Sequence, residues 1–408
     1  DRAIDWVAER SGFELAASQQ RALRQSILSK VAVITGGPGV GKTTLVQSIL
    51  MVLRAKKMRV LCCAPTGRAA KRMSESTGME AKTIHRLLQY NPGSGGFVHR
   101  ADNPLECDIL IIDECSMVDL LLANQLVSAV PLHAAILFVG DADQLPSVGP
   151  GRILQDIISS NQFTVSQLSD VFRQAAKSKI ITNAHAINQG NLPKFPKDGD
   201  PSDCYFIETE EPETAVAMIG KLVRDSIPKR FGMKPMEDIQ ILTPMQKGAL
   251  GAQNLNATMQ QALNPIGDQI ERFGTIFRHG DRVMQTENDY DKGIYNGDLG
   301  HIERIDLEAS EVTIRFDDRS ILFDVRELDS LLHAYAITIH KSQGSEYPAV
   351  IIPLHTQHYI MLQRTLIYTA ITRATKLAIL VGTKKALQLA VSQTLSRNRT
   401  TLLAEHLQ

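Results

Sequence analysis

The sequence predicts an α/β protein with two doubly wound domains, each a parallel sheet flanked by helices, and a small β-barrel inserted in the second domain. Three observations support this fold class. Apolar runs that end in polar loops recur along the first half of the chain. A glycine-rich loop connects the first of these runs to a helical pattern. Short strands separated by turn residues occupy residues 280–325.

The composition is that of a globular protein with room for two or three domains. The chain has 408 residues, of which 43% are hydrophobic and 22% are charged. No apolar run approaches the roughly 20 residues of a membrane helix, so we expect no membrane partner. Five scattered cysteines without metal-ligand spacing suit a reducing cytoplasm. A net charge of zero disfavours a surface coated by nucleic acid but permits a narrow basic channel.

Two predicted helices precede the glycine-rich loop. Residues 3–10 and 17–28 carry apolar side chains at steps of three and four residues. Gln19, in the second helix, has an amide that can pair with both the donor and the acceptor edge of adenine. A solvated polar side chain is the alternative interpretation of Gln19. Because the chain starts at Asp1, we expect the natural N-terminus to lie upstream.

The glycine-rich loop has the pattern G-x-x-x-x-G-K-T of a phosphate-binding loop, and its position between a strand and a helix disfavours a chance match. Its glycines let the backbone wrap around an anion. Lys42 is expected to meet the β- and γ-phosphates of ATP, and the Thr43 hydroxyl to bind Mg²⁺. The predicted nucleotide-binding residues of the loop are Gly36, Gly37, Pro38, Gly39, Val40, Gly41, Lys42, Thr43 and Thr44.

Two further strands end in carboxylates and an amide. Residues 108–112 form a predicted strand that ends in Asp113 and Glu114. Asp113 is placed to hold Mg²⁺, and Glu114 to polarise the attacking water. Adjacent carboxylates at the end of a buried strand need a cation, because burying them without one is costly. Gln144 follows the next strand, at residues 134–139, and can sense the γ-phosphate from the same sheet edge.

Between these strands, residues 66–86 carry five Lys and Arg side chains against two acids. This basic balance beside a phosphate site suits contact with a nucleic-acid backbone, although a solvated helix face explains it equally well. Residues 91–104 are polar and predict a loop or small hairpin.

The second half repeats the pattern of a strand followed by polar residues. After a predicted strand at residues 239–243, Lys247 can contact phosphates, or the segment can be an ordinary turn. Thr338, His340 and Lys341 offer a hydroxyl, an imidazole and a cation to a sugar-phosphate backbone. A structural role is the alternative for a single histidine after a strand.

Taken together, these motifs resemble those of the superfamily 1 helicases, most closely the RecD-like branch. The resemblance extends from Gln19 nearly to the end of the chain. Its matching segments are residues 36–43, 64–73, 83–87, 113–116, 140–148, 171–174, 243–245, 335–346 and 368–374.

The resemblance implies two tandem RecA-like motor domains, with ATP in the cleft between them. The first comprises residues 1–167, with a short pin at about residues 90–106. The second comprises residues 168–265 and 333–408 and includes a predicted amphipathic helix at residues 362–374. Residues 266–332 would form an SH3-like barrel that helps to clamp DNA, although a barrel that only packs on its host is an alternative.

The resemblance also implies roles for individual residues. Gln19 would read adenine, and Arg173 and Arg373 would reach the γ-phosphate, with Arg373 as the arginine finger; a surface arginine at a helix end is the alternative for Arg373. Gly344 and Glu346 would link the nucleotide with the DNA. The implied DNA-binding residues are Pro65, Thr66, Gly67, Arg68, Thr83, His85, Thr243, Pro244, Lys247, Thr338, His340 and Lys341.

The predicted function is that of an ATP-dependent helicase or translocase that moves 5′ to 3′ on single-stranded DNA and unwinds 5′-tailed duplexes, in DNA repair or recombination. We expect a monomeric motor and leave partner subunits open. Two alternatives are an ATP-gated single-strand-binding module without unwinding and an RNA-directed superfamily 1 helicase. A metabolic kinase is disfavoured because no motif for an acceptor pocket is visible.

Overall fold

The computed structural model describes residues 2–91, 96–170, 177–197, 200–393 and 401–408. It divides into two compact units, which are Asp1–Lys177 with Leu395–Gln408, and Ser178–Thr394. None of the helices in these described ranges has the length and apolar character of a membrane span.

The first unit is built on a six-stranded parallel sheet with the strand order β3-β2-β6-β7-β1-β8. Its strands are β1 (Val31–Thr35), β2 (Val60–Ala64), β3 (Ala81–Thr83), β6 (Ile109–Ile112), β7 (Ala135–Gly140) and β8 (Thr164–Gln167), and β4 (Tyr90–Asn91) pairs with β5 (Gly96–Phe97) in a separate small hairpin. Its helices are α1 (Arg2–Ser11), α2 (Ala17–Leu28), α3 (Lys42–Ala55), α4 (Gly67–Thr77), α5 (Ile84–Leu87), α6 (Leu120–Ser128) and α7 (Ile153–Ser159).

Strand β1 shows why this sheet is covered by helices on both faces. Ala32 and Ile34 point into one apolar cluster, and Val33 points into the other, because successive side chains alternate across a strand. The first cluster includes residues of α1, α2 and α3, and the second includes residues of α6 and α7. The near-continuous apolar runs of the sequence are therefore parallel strands buried on both faces, as predicted.

The second unit has a five-stranded parallel sheet with the strand order β18-β10-β19-β20-β9. Its strands are β9 (Cys204–Glu208), β10 (Ile239–Thr243), β18 (Ala336–Thr338), β19 (Tyr347–Leu354) and β20 (Ala374–Gly382). Its α-helices are α8 (Lys179–Asn188), α9 (Pro212–Lys221), α10 (Ile227–Phe231), α11 (Ala252–Leu263), α12 (Arg364–Ile371) and α13 (Lys384–Ser392); a π-helical turn (Leu222–Ser226) joins α9 to α10.

An antiparallel sheet is inserted between α11 and β18, as the sequence predicts. Its strand order is β16-β15-β14-β13-β17, and the hairpin of β11 and β12 precedes it along the chain. The strands are β11 (Gln269–Arg272), β12 (Thr275–Arg278), β13 (Arg282–Gln285), β14 (Leu299–Asp306), β15 (Glu311–Phe316), β16 (Arg319–Asp324) and β17 (Leu331–His333). Alternate residues of β15 (Val312, Ile314 and Phe316) fill a core separate from that of the parallel sheet.

Three details differ from the predicted organisation. The first unit extends to Lys177, beyond the predicted boundary at residue 167. The helix predicted at residues 362–374 ends at Ile371, because Ala374 begins β20 and pairs with Tyr347 of β19. The C-terminal residues, assigned above to the second motor domain, belong to the first unit. There Thr401 Oγ1 donates to Asp156 Oδ2 at 2.9 Å, and α14 (Leu403–His406) with Leu407 packs on the apolar cluster of α6 and α7.

Candidate nucleotide-binding and strand-binding sites

The carboxyl ends of three adjacent strands bring the predicted catalytic segments of the first unit together. Strand β7 lies between β6 and β1, and the register pairs Thr35 with Gly140 and Ile112 with Phe138. The phosphate loop, the Asp113–Glu114 pair and the segment that carries Gln144 therefore start from one sheet edge. This is the edge at which ligands bind in open α/β sheets.

The phosphate loop has the backbone geometry that its glycines permit. Gly39 and Gly41 have φ angles of +76° and +75°, in the left-handed region that favours glycine. A Cβ at Gly36 would lie 2.9 Å from the carbonyl oxygen of Leu168, so this position also requires glycine. Lys42 opens α3 and its Nζ donates to the carbonyls of Gly36 (2.6 Å) and Gly37 (3.0 Å), which holds the ammonium group over the loop.

Gln19 is buried and braces this loop, so the interpretation as a solvated side chain is wrong. Its Nε2 donates to the carbonyls of Val40 (3.2 Å) and Gly41 (3.3 Å), and its Oε1 accepts from the backbone N–H of Ala16 (3.0 Å). The amide is therefore engaged with backbone groups in this structure. Its reading of adenine stays a prediction.

Asp113 and Glu114 form a strained, partly buried pair at the end of β6. Glu114 has φ +51° and ψ +41°, a left-handed conformation that costs a non-glycine residue free energy, and its N–H donates to Asp113 Oδ1 at 2.8 Å. Burial, and then the charge of Glu114, raise the pKa of Asp113 to about 6, while Lys42 and Arg72 act in the opposite direction. A cation would relieve this unfavourable burial of negative charge.

Gln144 lies beside a carboxylate that the sequence analysis did not single out. Gln144 is buried, and its Nε2 donates to Asp141 Oδ2 at 3.1 Å, while the other oxygen of Asp141 accepts from the N–H of Asp143. Asp141 follows β7 directly, as Asp113 follows β6. That repeated position was the signal in the sequence that could have identified it.

The donor set at this edge fits a magnesium ion that is mostly coordinated by phosphates and water. Within the described ranges, no group of three His, Cys, Asp or Glu side chains is arranged to hold a metal by itself. Mg²⁺ in nucleotide sites typically takes only one or two protein oxygens. Thr43, whose exposed side chain lies in the first turn of α3, and the carboxylate of Asp113 are oxygen donors of that type.

Two predicted DNA-binding hydroxyls of the first unit act as helix caps. Thr66 Oγ1 accepts from the N–H of Ala69 at the start of α4, and Thr83 Oγ1 accepts from that of Arg86 at α5. Pro65 and Arg68, on either side of the Thr66 cap in sequence, are partly exposed, and Gly67, the first residue of α4, is buried. His85 contacts the rings of Tyr90 and Phe97 in the small hairpin, with centroid distances of 6.1 and 5.8 Å, and its pKa is lowered by burial.

In the second unit, Thr243 and Pro244 are both buried, and their contact with nucleic acid stays a prediction. Thr243 is fully buried and its hydroxyl donates to the carbonyl of Leu250 at 2.6 Å; Pro244 is buried beside it. The threonine closes the turn after β10. Lys247 follows on an exposed turn, and its phosphate contact stays a prediction.

Thr338, His340 and Lys341 lie at the end of β18 and in the 3-10 helix that follows it. Lys341 is exposed and the other two are partly exposed. Burial lowers the pKa of His340, so the imidazole is neutral near pH 7. Gly344 is buried with a φ of +74°, and Glu346 is exposed.

Arg373 is a buried arginine, so the alternative of a surface arginine at a helix end is wrong. Its Nη1 donates to the carbonyl of Ser345 (3.1 Å) and its Nε to that of Thr369 (3.3 Å). These bonds connect the turn after α12 with the segment that contains Gly344 and Glu346. Arg173, the other predicted γ-phosphate contact, lies outside the described residues.

Family comparisons divide the chain in the same order as its motifs. Residues 19–150 match the family model of an AAA domain. Residues 255–316 match the SH3 domain of ATP-dependent RecD-like DNA helicases, and residues 333–381 match the C-terminal domain of UvrD-like helicases. The second match falls on α11 and the inserted sheet.

Similar proteins align over nearly the whole chain. The ATP-dependent RecD2 DNA helicase of Deinococcus radiodurans is 37% identical over 401 residues, which are 98% of this chain and 53% of that protein. The chain thus spans about half the length of this relative. The RecBCD enzyme subunit RecD of Mycolicibacterium smegmatis is 30% identical over 94% of this chain and 73% of its own length.

Solved structures share the fold at low sequence identity. The structure of two Pif1 helicases that unwind forked double-stranded DNA superposes with a TM-score of 0.57 at 21% identity. That of Bacteroides Pif1 with ADP-AlF3 and single-stranded DNA gives 0.56 at 20% identity. Each superposition covers 92% of this chain and 94% of the other.

Proposed function

The chain belongs to the RecD-like family of helicases. We infer from this membership that it is an ATP-driven motor that moves 5′ to 3′ along single-stranded DNA and unwinds 5′-tailed duplexes. The observation that carries the proposal is the convergence of the phosphate loop, Asp113–Glu114 and Gln144 at one sheet edge. This constellation suits hydrolysis of a nucleoside triphosphate. We propose that the motor acts as a monomer in DNA repair or recombination.

In the proposed reaction, the first unit holds ATP and prepares the attacking water. The backbone N–H groups of the loop and Lys42 bind the phosphates, as the positive φ angles of Gly39 and Gly41 support. Thr43 and Asp113 would hold Mg²⁺, which neutralises phosphate charge. Glu114 orients and deprotonates water, and the Gln144 amide, steadied by Asp141, responds to the γ-phosphate.

We further propose that Arg373 and Arg173 contribute positive charge to the γ-phosphate during hydrolysis. An arginine in this role is worth about 10³–10⁵ in rate in related enzymes. The bond from Arg373 to the carbonyl of Ser345 supports a linkage between this arginine and the neighbouring Gly344 and Glu346. Movement of that segment would then follow the state of the nucleotide.

For the strand, we propose two contact regions, one in each unit. Their residues are Pro65, Thr66, Gly67, Arg68, Thr83 and His85 in the first unit, and Lys247, Thr338, His340 and Lys341 in the second. Most of these groups are suited to phosphate and sugar contacts rather than to base edges, so we expect little sequence preference. Alternating grip by the two regions would convert ATP turnover into stepping.

The test is unwinding of labelled duplexes with a 5′ tail, a 3′ tail or no tail, with and without ATP. The proposal requires ATP-dependent displacement from the 5′-tailed duplex and little from the others. Displacement from the 3′-tailed duplex alone would contradict the proposed direction. The same duplex with an RNA tail separates a DNA motor from an RNA-directed one.

One observation favours the second candidate, an ATP-gated strand-binding module. The segment that would serve as a wedge, at about residues 90–106, is short in sequence, and among its described residues two of β4 pair with two of β5. ATP hydrolysis stimulated by single-stranded DNA, without displacement from any duplex, would support this candidate.

A further inference from the structure

A cavity of about 390 Å³ lies in the second unit, where the inserted antiparallel sheet adjoins the parallel sheet. Its walls come from α11, from the β11–β12 hairpin, from β13 and β17, and from the segment that starts at β18. This volume is within the range of about 300–1,000 Å³ found for small-molecule sites. All of its lining residues belong to the second unit, whereas the phosphate loop belongs to the first.

The lining combines apolar walls with amides and one cation. Ile276, Met284 and Ile337 supply the apolar surface, and Gln246 and Gln253 supply exposed side-chain amides. An amide carries both a donor and an acceptor, so it can pair with the edge of any base. The apolar walls can contact the flat face of a base.

Two residues of the proposed strand-binding region, Thr338 and Lys341, line the same cavity. A strand held by these two side chains would therefore pass at the cavity wall. Lys341 is exposed, and its ammonium group can pair with a phosphate while the attached base turns inward. Phosphate and base recognition would thus occur within one nucleotide unit.

A buried carboxylate fixes the walls of this cavity. Asp281 is fully buried and accepts hydrogen bonds from Gln260 Nε2 (2.7 Å) and Tyr335 OH (2.7 Å), and His333 Nε2 lies 3.1 Å from it. Gln260 and His333 also line the cavity. The hydrogen bonds of this one carboxylate join the turn before β13 to α11 and to the end of the inserted sheet after β17. The walls of the cavity are therefore held in place before any strand binds.

We propose that this cavity receives one unstacked base of the bound single strand, with Lys341 pairing with the adjacent phosphate. The inference rests on the proposed function, because it deepens the strand-binding role of the second unit. Mixed amides and apolar walls would accept any base, as a translocating motor requires. The inserted antiparallel sheet would then contribute to strand binding by forming one wall of the site that holds the base.

The experiment uses the whole chain and a single-stranded oligonucleotide in which one 2-aminopurine replaces a base at successive positions. This base fluoresces more strongly when it is unstacked. We expect a several-fold rise at one position, with neighbouring positions changing little. Ala257→Leu, at an exposed position of α11 that lines the cavity, should abolish the rise and weaken strand binding roughly tenfold.

Gln261→Leu is the matched control, because Gln261 is exposed on the same helix but does not line the cavity. It should retain both the rise and the affinity. Gln253→Leu, at a second exposed lining position, repeats the test if Ala257→Leu does not fold. No position-specific rise, or a rise that survives both lining variants, overturns the base site. Failure of the wild-type chain to bind any strand would instead contradict the proposed function itself.

Discussion

The Nε2 of Gln19 donates a hydrogen bond of 3.2 Å to the carbonyl oxygen of Val40, in the middle of the phosphate loop. A second bond from the same nitrogen reaches Gly41, whose left-handed backbone precedes α3. One amide therefore couples the start of α2 to the conformation of the loop. This coupling predicts a role for Gln19 that is independent of the identity of the base.

Gln19→Ala should weaken binding of ATP and GTP to a similar extent, by roughly tenfold, because it removes hydrogen bonds that hold the loop. The measurement is titration with fluorescent ATP and GTP analogues. Gln20→Ala is the matched control, since Gln20 Nε2 bonds to the carbonyl of Leu15 and not to the loop. A loss confined to the adenine nucleotide would instead support direct reading of adenine.

Glu114→Gln should lower ATP turnover by about 10²–10⁴, the usual contribution of a general base, while ATP binding stays near its wild-type strength. The amide preserves the shape of the side chain but cannot accept the proton from water. Turnover and nucleotide titration should be measured on the same preparation. Glu80→Gln, at an exposed site, serves as the control, and turnover retained by Glu114→Gln would exclude this residue as the base.

Arg373→Ala should reduce both ATP turnover and the free energy of unfolding, because the guanidinium bonds to the carbonyls of Ser345 and Thr369. Leaving buried acceptors unpaired costs about 1–3 kcal/mol each. Thermal unfolding followed beside the ATPase rate separates the two effects. Lys376→Ala removes an exposed cation of β20 and should change neither; a stable Arg373→Ala protein with full turnover would contradict the arginine-finger role.

Asp281→Asn should destabilise the second unit by about 3 kcal/mol at neutral pH, as expected when a buried, multiply bonded charge is removed. Burial raises the pKa of Asp281, but the bonds from His333, Arg278, Asn264 and Tyr335 outweigh it and lower the pKa below its ordinary value. A lowered folded-state pKa stabilises the fold above the unfolded pKa, near 4, and this contribution disappears as the pH falls.

The pH dependence provides the measurement for that prediction. The unfolding free energy of the wild type should fall more steeply below about pH 4 than that of Asp281→Asn, so the two curves converge in acid. Asp318→Asn, at an exposed turn between β15 and β16, should track the wild type. Parallel curves for wild type and Asp281→Asn would show that the carboxylate is not ionised in the folded protein.

Much of the fold follows from local pattern. The buried strands β1, β2 and β6 are short apolar runs. They are followed, in that order, by the phosphate loop, the Thr66 cap of α4 and the Asp113–Glu114 pair. The phosphate loop was predictable because glycine spacing determines its backbone geometry. Strands β13 to β16 of the inserted sheet were predictable because their turns contain Asn-Gly and Asp-Asp pairs, whereas β17 lies beyond the predicted residues 280–325.

What the sequence could not supply was the partner of each polar side chain. Thr243 and Thr83 look alike in sequence, yet the hydroxyl of the first is fully buried against Leu250, whereas that of the second caps α5. Asp281 gave no signal, since its five donors come from segments up to 54 residues away. Such long-range contacts depend on the three-dimensional fold rather than on local periodicity.

The five cysteines are all free thiols buried in the structure, and two of them are close to Asp113. The carbonyl of Cys63 accepts from the N–H of Asp113 at 2.9 Å, and Cys115 follows Asp113 by two residues. Burial raises the pKa of both thiols well above the ordinary value, so the reactive thiolate is scarce. Alkylating reagents should therefore modify them only when the sheet edge transiently opens. The rate at which these thiols are alkylated therefore reports local unfolding of the candidate nucleotide site, and bound ATP should lower that rate.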